Sequence, residues 1–326
     1  MAEAAGLSVS AVSYALRGLQ TSTETQARVR AVAAELGYRV DPIARALASG
    51  RTGMIGVVVG SLEDLWMQRV AAGISRSLLE RGRFALLVDA GADPEREREL
   101  VHRLVDQRVD ALVVSPVHPT APHWAEVAGR LPVVTVGDSL PGAAVAGEVL
   151  FANRPGVTAV LEHLAAAGHR RVALLTTGRP STPDRPAEQH AVAESERLGL
   201  ALEVISAAPD VEQAADALAP VLARGRRPTA AFGLSDSLAH GCYLAAQRLG
   251  WRIPDDLSVV GFDDHPVSGI LVPPLTTVTW NERLLADGVG DAVAAATAPE
   301  GAEAERAFRL LLTPGLLQRG SVSPPS

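Results

Sequence analysis

The stretch GMIGVVVG, residues 53–60, decides the fold class. It is a continuous apolar run of strand length, a pattern typical of a strand that is buried on both faces of a sheet. Strand and helix patterns alternate from this point onward. The strands predicted next are 84–90, 111–117 and 133–138, with helices between them at 66–82, 94–108 and 120–130. This alternation predicts a parallel sheet covered by helices on both faces.

A second cycle of the same alternation follows the first. Its predicted strands are 171–177, 201–206, 229–235 and 257–263, and its predicted helices are 155–168, 185–199, 211–224 and 236–249. Two cycles predict two similar lobes. Because ligands of doubly wound sheets bind at the carboxyl ends of the strands, we expect a ligand cleft between the lobes.

The first 52 residues carry a different pattern. The stretch LSVSAVSYALRG, Leu7 to Gly18, is typical of the turn and second helix of a DNA-reading helix-turn-helix. In this interpretation Ser8 is the N-cap of the helix, while Val12 and Leu16 pack inward at positions i and i+4. The side chains left to face DNA are Val9, Ser10, Ser13, Tyr14 and Arg17. The alternative is an ordinary amphipathic helix in a small globular cap.

Two further helices are predicted before the first strand. TETQARVRAVAAELG, residues 23–37, has apolar residues three and four positions apart and a glycine that can end the helix. Asp41-Pro42 can start a short helix, because proline is tolerated in the first turn, and Ser49-Gly50 ends it.

The charge of the chain is distributed unevenly. The whole chain has a net charge of −7, yet residues 1–51 hold six Arg against four acidic residues, a net of +2, which leaves −9 for the remainder. A basic head on an acidic body fits a DNA contact, since phosphate binding needs local positive charge. A chance fluctuation over a short segment is the alternative. The single cysteine, the lack of a signal-peptide pattern and the lack of an apolar run of membrane-spanning length predict a cytoplasmic protein.

Several stretches, taken in order along the chain, resemble the LacI/GalR (lactose/galactose repressor) family of bacterial transcription regulators. They are AGLSVSAVSYALRG, ELGYRVDPIARALASGRTGMIGVVV, DPERERELVHRLVDQRVDALVVSP, HLAAAGHRRVALL, and IPDDLSVVGFDDHP followed by PPLTTV. Each stretch alone is a weak signal. Together, in this order and at this spacing, they are specific, and the resemblance covers nearly the whole length.

The resemblance implies an α/β protein with three parts. A small all-α helix-turn-helix head is expected at 1–40, a hinge helix and linker at 41–52, and a two-lobed body similar to periplasmic binding proteins at 53–326. Both lobes are expected to be doubly wound parallel sheets. The first would comprise about 53–150 plus 282–326, and the second about 151–281.

The resemblance also implies roles at the DNA interface. The positions that match Val9, Ser10 and Tyr14 commonly read bases, and recognition helices meet base edges mainly through their N-terminal residues. The match to Ser13 commonly holds a phosphate. Leu47 matches a leucine that is wedged into the minor groove, which unstacks a base step and bends the duplex. Packing of Leu47 on the body is the alternative.

The start of the chain differs from the family pattern. The family has several residues before the match to Met1, so the first helix is expected to keep only about one turn and to be marginal. Either translation starts further upstream or the head is impaired, and the first explanation is preferred.

Six effector-binding residues are expected in the cleft from the same resemblance. They are Trp66, Gly137, Asp138, Arg185, Asp236 and Trp280. Trp66 would stack on the ligand, and Asp236 would bind ligand hydroxyl groups. The alternatives are that Trp66 is a core residue and that Asp236 only caps a helix N-terminus.

The pocket pattern departs from the family at several positions. Ala187, Gln189 and His190 replace a stretch in which the family has an arginine, and Ser235 stands where asparagine is usual. Arg185 lies two residues before that stretch and could substitute for the missing arginine. These departures leave open whether the pocket binds a typical sugar.

The leading functional hypothesis is a ligand-responsive transcription regulator. It would be a homodimeric repressor that binds operator DNA and is controlled by a sugar or related metabolite. A solute-binding protein with the same body is the alternative. An enzyme is disfavoured because the sequence has no Walker A loop, no G-x-S-x-G elbow and no metal-ligand spacing. No catalytic residue, metal ligand or cofactor is therefore predicted.

Overall fold

The computed structural model describes residues 1–17, 21–38, 50–177, 184–208, 210–298 and 308–325, with only the backbone at 17 and 184–186. The chain divides into two compact units, Met1–Thr52 and Gly53–Ser326, which are taken in turn. Most of the expected hinge, including Leu47, lies outside the described residues. Within the described part of the chain, no helix is both long and apolar enough to cross a membrane.

Three helices form the described part of the N-terminal unit. They are α1 (Ala2–Ala5), α2 (Val9–Arg17) and α3 (Thr23–Glu35). The hydroxyl of Ser8 accepts a 3.2 Å hydrogen bond from the backbone N–H of Ala11, and Ser22 caps α3 in the same way. The small core contains buried Val12 and Val29, with Leu16 packed against it. The inward packing predicted for Val12 and Leu16 is therefore confirmed.

The body contains two six-stranded sheets. Strands of the first sheet are β1 (Met54–Val59), β2 (Phe84–Asp89), β3 (Ala111–Val114), β4 (Val133–Gly137), β5 (Gly147–Phe151) and β11 (Phe308–Leu312). Strands of the second sheet are β6 (Arg171–Thr176), β7 (Ala201–Ser206), β8 (Ala230–Gly233), β9 (Ser258–Phe262), β10 (Thr276–Thr279) and β12 (Gly315–Leu317).

Eight α-helices accompany these strands in the described part of the body. They are α4 (Leu65–Glu80), α5 (Pro94–Asp106), α6 (His123–Ala128), α7 (Asn153–Ala166), α8 (Asp184–Leu198), α9 (Val211–Leu222), α10 (Asp236–Arg248) and α11 (Glu282–Ala296). A short 3₁₀ helix, Pro266–Gly269, follows β9.

The strand order is that of a doubly wound fold in both sheets. It is β11-β5-β4-β3-β1-β2 in the first sheet and β12-β10-β9-β8-β6-β7 in the second. Every pairing is parallel except that of β12 with β10. Within β1, Val57 and Val59 pack into one hydrophobic cluster and Val58 into another, which explains the unbroken apolar run. The predicted α/β class with two parallel lobes is confirmed.

One boundary of the predicted lobes is wrong. The sequence assigned residues 282–326 to the first lobe, but β12 lies in the second sheet, where Leu316 pairs with Val278. The chain beyond β12 stays there, because the N–H of Val259 donates to the carbonyl of Ser321. β11 joins the first sheet and β12 the second, so the C-terminal segment crosses between the lobes.

Four strands of the body were not predicted: β5, β10, β11 and β12. Each has at most five residues, and β5 and β10 are rich in polar or small residues, as in GEVLF and TTVT. Such short strands give local periodicity little signal. Thr276 and Thr277 are nevertheless fully buried in the second sheet.

Candidate functional site

Helix α2 presents a surface that the core of the head leaves uncovered. Val9 is 77% exposed although it is apolar, and Ser10 and Tyr14 are also exposed. Ser13 is half-buried on the same helix. The predicted DNA-facing set therefore lies opposite the buried Val12 and Ala15, apart from Ser8, whose hydroxyl caps the helix. The side chain of Arg17 lies outside the described part of the structure.

The body contains a pocket at the carboxyl ends of both sheets. In each sheet, the direction in which successive strands are added changes at the first strand. This switch point lies between β1 and β3 in the first sheet and between β6 and β8 in the second. Residues that follow these four strands line the pocket, among them Gly60, Ser115, Thr177 and Leu234. Such switch points are where doubly wound folds bind ligands. The cavity encloses about 980 Å³ including space open to solvent.

Apolar and aromatic side chains form most of the described lining. The lining residues are Gly60, Ser61, Asp64, Trp66, Met67, Ala92, Ser115, Pro116, Val117, Phe151, Asn153, Thr177, Ala187, Leu234, Ser235, Phe262, Asp263 and Trp280. No Arg, Lys or His occurs among these described residues.

Four aromatic rings stand in a row along the pocket wall. The ring of Phe151 lies 5.2 Å from that of Trp66 and 4.9 Å from that of Trp280, measured between centroids. The ring of Phe262 lies 5.8 Å from that of Trp280. These spacings are those of favourable tilted and edge-to-face aromatic contacts. Sequence analysis predicted Trp66 and Trp280 for the pocket but missed the two phenylalanines.

Several polar side chains of the lining are engaged by the protein itself. Asp64 caps α4 by accepting hydrogen bonds of 2.8 and 3.3 Å from the N–H groups of Trp66 and Met67, and burial raises its pKa. Ser235 caps α10 through the N–H of Leu238 at 3.3 Å. The carboxylate of Asp263 accepts a 3.1 Å hydrogen bond from the indole Nε1 of Trp280. The indole Nε1 of Trp66, by contrast, is buried without a hydrogen-bond partner.

Comparison with known proteins identifies this combination of head and pocket. Residues 161–322 match the periplasmic binding protein-like domain. The chain is 27% identical over 327 residues to the ribose operon repressor of Escherichia coli strain K12, with 98% of each chain covered. It is 29% identical over 285 residues to the HTH-type transcriptional regulator GalS of Salmonella typhimurium, covering 86% of this chain and 84% of GalS.

A solved structure supports the same assignment over the whole length. The lac repressor dimer bound to operator and the anti-inducer ONPF superposes with a TM-score of 0.84 at 26% identity, covering 99% of this chain and 97% of that chain. The chain is similar over nearly its whole length to proteins of the LacI/GalR family. The relatives named above are transcription regulators and not enzymes.

Asp236 is not among the residues that line the pocket. Its carboxylate is buried and accepts hydrogen bonds from the N–H of His265 at 2.7 Å, from Ser268 Oγ at 2.5 Å and from Thr277 Oγ1 at 2.6 Å. Burial raises its pKa to about 6 despite these bonds. Asp236 thereby joins the start of α10 to β10 and to the 3₁₀ helix, and its contact with ligand stays a prediction.

The remaining predicted pocket residues also lie outside the described lining. Gly137 ends β4 with φ +92°, a conformation that suits glycine, and Asp138 follows it. Asp138 is half-buried, and burial raises its pKa to about 6. The side chain of Arg185 is outside the described part of the structure. Ala187, two residues further along α8, is buried and lines the pocket.

Sequence reasoning missed Asp263, although a signal was available. Asp263 directly follows β9, and residues just after parallel strands line the ligand cleft of this fold. In the sequence, the Asp263-Asp264 pair is part of the stretch IPDDLSVVGFDDHP, which carries the family resemblance. The structure shows that it is a turn with positive φ at both residues, +100° and +53°, and that Asp263 also lines the pocket.

Glu97 is a second residue that the sequence interpretation missed. It is fully buried on α5, and its carboxylate accepts hydrogen bonds from the N–H groups of Val117 at 2.5 Å and His118 at 3.3 Å. Burial raises its pKa to about 6. Because Pro116 and Val117 line the pocket, Glu97 supports one wall from behind. An acidic residue on the apolar face of a predicted helix was the available signal.

A buried Ser, His and Asp cluster lies beside the pocket wall. Ser268 Oγ lies 2.9 Å from His240 Nε2 and donates to Asp236. Burial lowers the pKa of His240 to about 4. The hydroxyl is fully buried and is held by the carboxylate, so a substrate cannot reach it as a nucleophile. Among the described residues, no group of three or more His, Cys, Asp or Glu side chains is placed to hold a metal ion.

Proposed function

We propose that this protein is a ligand-responsive, sequence-specific DNA-binding repressor. The observation that carries the proposal is the exposed surface of α2, with Val9, Ser10 and Tyr14 uncovered at its N-terminal half. An exposed valine at the start of a helix has no core to enter, whereas it can contact a thymine methyl group in the major groove. The lac repressor structure that aligns with 99% of this chain is bound to operator.

The effector would bind in the pocket of the body. The pocket lies at both switch points and is lined by residues from both sheets, so a ligand there touches both lobes at once. A ligand that binds one arrangement of the lobes more tightly shifts the population toward it. We propose a sugar or a related metabolite as the broad class.

The proposed assembly is a homodimer. Two elements of the body expose large apolar side chains: edge strand β2, where Phe84 is 61% exposed, and the segment after the 3₁₀ helix, where Ile270 is 79% and Val272 is 93% exposed. Exposed apolar groups of this size mark interaction surfaces. A second copy is the proposed occupant, because two heads are needed to contact two half-sites of an operator.

The proposal includes no enzymatic activity and a cytoplasmic location. The pocket has no nucleophile paired with a base among its described residues. A regulator of transcription acts where the chromosome is, which in a bacterium is the cytoplasm.

A mobility-shift titration tests the proposal. The purified full chain is titrated against the DNA upstream of its own gene, with a scrambled duplex of the same length as control. Parent protein should shift the upstream DNA selectively. Tyr14→Ala should weaken that complex by about 5- to 100-fold, the value of one good base contact. Binding to the scrambled duplex should change much less.

The alternative, a solute-binding protein, has a different outcome in the same experiment. Effector binding would be intact while no DNA duplex is shifted selectively. That result would remove the regulatory role and retain the pocket.

A further inference from the structure

We infer that the effector carries a planar aromatic ring that is held by Trp66, Phe151 and Trp280, and that it is not a free monosaccharide. The inference deepens the proposed function, since it takes the pocket to be the effector site. Two observations carry it: the concentration of aromatic rings, and the prior engagement of four polar side chains of the lining.

The aromatic residues of the chain are few and are gathered at this site. The whole chain has only five Phe and four Trp residues, and four of these nine line the pocket. Phe151 touches both tryptophans, with interplanar angles of 65° to Trp66 and 45° to Trp280. The rings therefore line the pocket as tilted walls. A flat ring that enters between tilted walls can make offset-stacked and edge-to-face contacts with several of them together.

Four polar side chains of the lining are already hydrogen-bonded within the protein. Ser61 accepts from the N–H of Glu63, and Asp64 accepts from two N–H groups at the start of α4. Ser235 caps α10, and Asp263 holds the indole of Trp280. These groups retain some capacity, which suits one or two polar atoms on the edge of a ring.

A free aldose would fit this environment poorly. It carries a hydroxyl group on nearly every carbon, and a buried hydroxyl without a partner is costly.

Matched pairs of probes test the inference on the full-length protein. Each pair differs by the presence of an aromatic ring: ribose against uridine, and glucose against phenyl β-D-glucoside. Dissociation constants are measured by isothermal titration calorimetry and by quenching of tryptophan fluorescence. We expect the ring-bearing member of at least one pair to bind at least about tenfold more tightly than its sugar.

Variants locate the effect in the pocket. In a pair of probes for which the parent protein prefers the ring-bearing member, Trp66→Leu should abolish that preference, so that both members bind with similar affinity. Phe151→Leu should do the same independently. Trp251→Phe is the matched control, because Trp251 stacks on Arg227 and is not a lining residue, and it should leave the ratio unchanged. A cooperative thermal unfolding transition shows that each variant is folded. If one of the two pocket variants does not fold, the other still tests the inference.

The results that would overturn this inference differ from the results that would overturn the proposed function. Equal or tighter binding of the free sugars, or no response to either ring-bearing probe at millimolar concentration, overturns the inference. The same preparations are titrated with the upstream DNA. Selective DNA binding without a preference for the ring leaves the repressor proposal intact, whereas a preference for the ring without DNA binding removes only the repressor proposal.

Discussion

The indole Nε1 of Trp280 donates a 3.1 Å hydrogen bond to the Oδ1 of Asp263, and both residues line the pocket. The next residue, Asp264, accepts a hydrogen bond from Arg69 on its carbonyl at 3.0 Å and one from Arg319 on its carboxylate at 2.7 Å. Arg69 belongs to α4, which packs in the first lobe, and it also binds Glu282 at 2.9 Å. The turn after β9 therefore connects the ligand wall to both lobes.

Two substitutions at Asp263 separate its carboxylate from its backbone strain. Asp263 has φ +100°, which is unfavourable for a residue with a Cβ. Asp263→Ala and Asp263→Gly both remove the carboxylate, but only glycine relaxes the backbone. We expect the glycine variant to be more stable than the alanine variant by about 1 kcal/mol in chemical denaturation. Equal stabilities would show that the turn is unstrained.

The network around Asp236 predicts a loss of stability without a loss of ligand contact. In Asp236→Asn, the amide NH₂ must face a group that now donates to the carboxylate, such as the N–H of His265. The free energy of unfolding at pH 7 should fall by about 1–3 kcal/mol. Effector affinity at a temperature well below the unfolding midpoint should stay within about threefold of the parent value. A large selective loss of affinity would return Asp236 to the ligand site.

Packing against the same carboxylate makes Gly261 intolerant of a side chain. A Cβ at Gly261 would overlap the carboxylate of Asp236 and would lie 2.9 Å from Leu275 Cδ2. Gly261→Ala should therefore lower the free energy of unfolding by about 1–3 kcal/mol. Gly82→Ala cannot serve as the control because its φ is positive, but Gly225→Ala can, since no neighbouring atom lies within 4 Å of the place that its methyl group would take. Chemical denaturation of both variants measures the difference.

Glu97 predicts a dependence of stability on pH. Its pKa is about 6 in the folded protein against an ordinary value of 4.5, so the folded state holds the proton more tightly. Its contribution to stability is full below about pH 4.5 and is lost as pH rises to about 6, a change of about 2 kcal/mol.

A variant without an ionisable group at position 97 separates the effect of Glu97 on the pH dependence of stability from the effects of other titrating groups. Glu97→Gln cannot ionise, so its stability relative to the parent should improve by about 2 kcal/mol between pH 4 and pH 7. Glu99→Gln, an exposed position on the same helix, should track the parent. A parallel pH dependence of the Glu97 variant and the parent would contradict the shifted pKa.

Leu47 and Arg17 test the family mechanism, which rests on the resemblance because neither side chain is described. Leu47→Ala removes a wedge but no charge, so the salt dependence of DNA binding should change little. Operator affinity should fall by about 10- to 100-fold together with the DNA bend. Arg17→Ala should weaken specific and nonspecific complexes alike and make the salt slope shallower. Unaltered bending by the Leu47 variant, measured by circular-permutation gel shift, would refute the wedge.

Local sequence alone determined the head, the alternation of strands and helices, and the two-lobed class. Apolar periodicity is a short-range property, and β1 and α2 carry it within a dozen residues, so Val12, Leu16 and the run at 53–60 could be interpreted directly. Trp66 and Trp280 came from motif resemblance. The sequence did not predict Phe151, Phe262 and Asp263 as residues of the pocket wall. They lie at the ends of β5 and β9, which are distant from each other in sequence.

Only the tertiary structure decided where the acidic side chains point. Asp236 looks like a ligand residue in sequence, but α10 sets its carboxylate against Thr277 and Ser268, more than thirty residues away along the chain. Glu97 looks like one charge among many on α5, yet it is buried behind Val117. The crossing of the C-terminal segment from β11 to β12 was equally invisible to periodicity. Hydrogen-bond partners of buried polar groups are chosen by long-range packing, which no local pattern encodes.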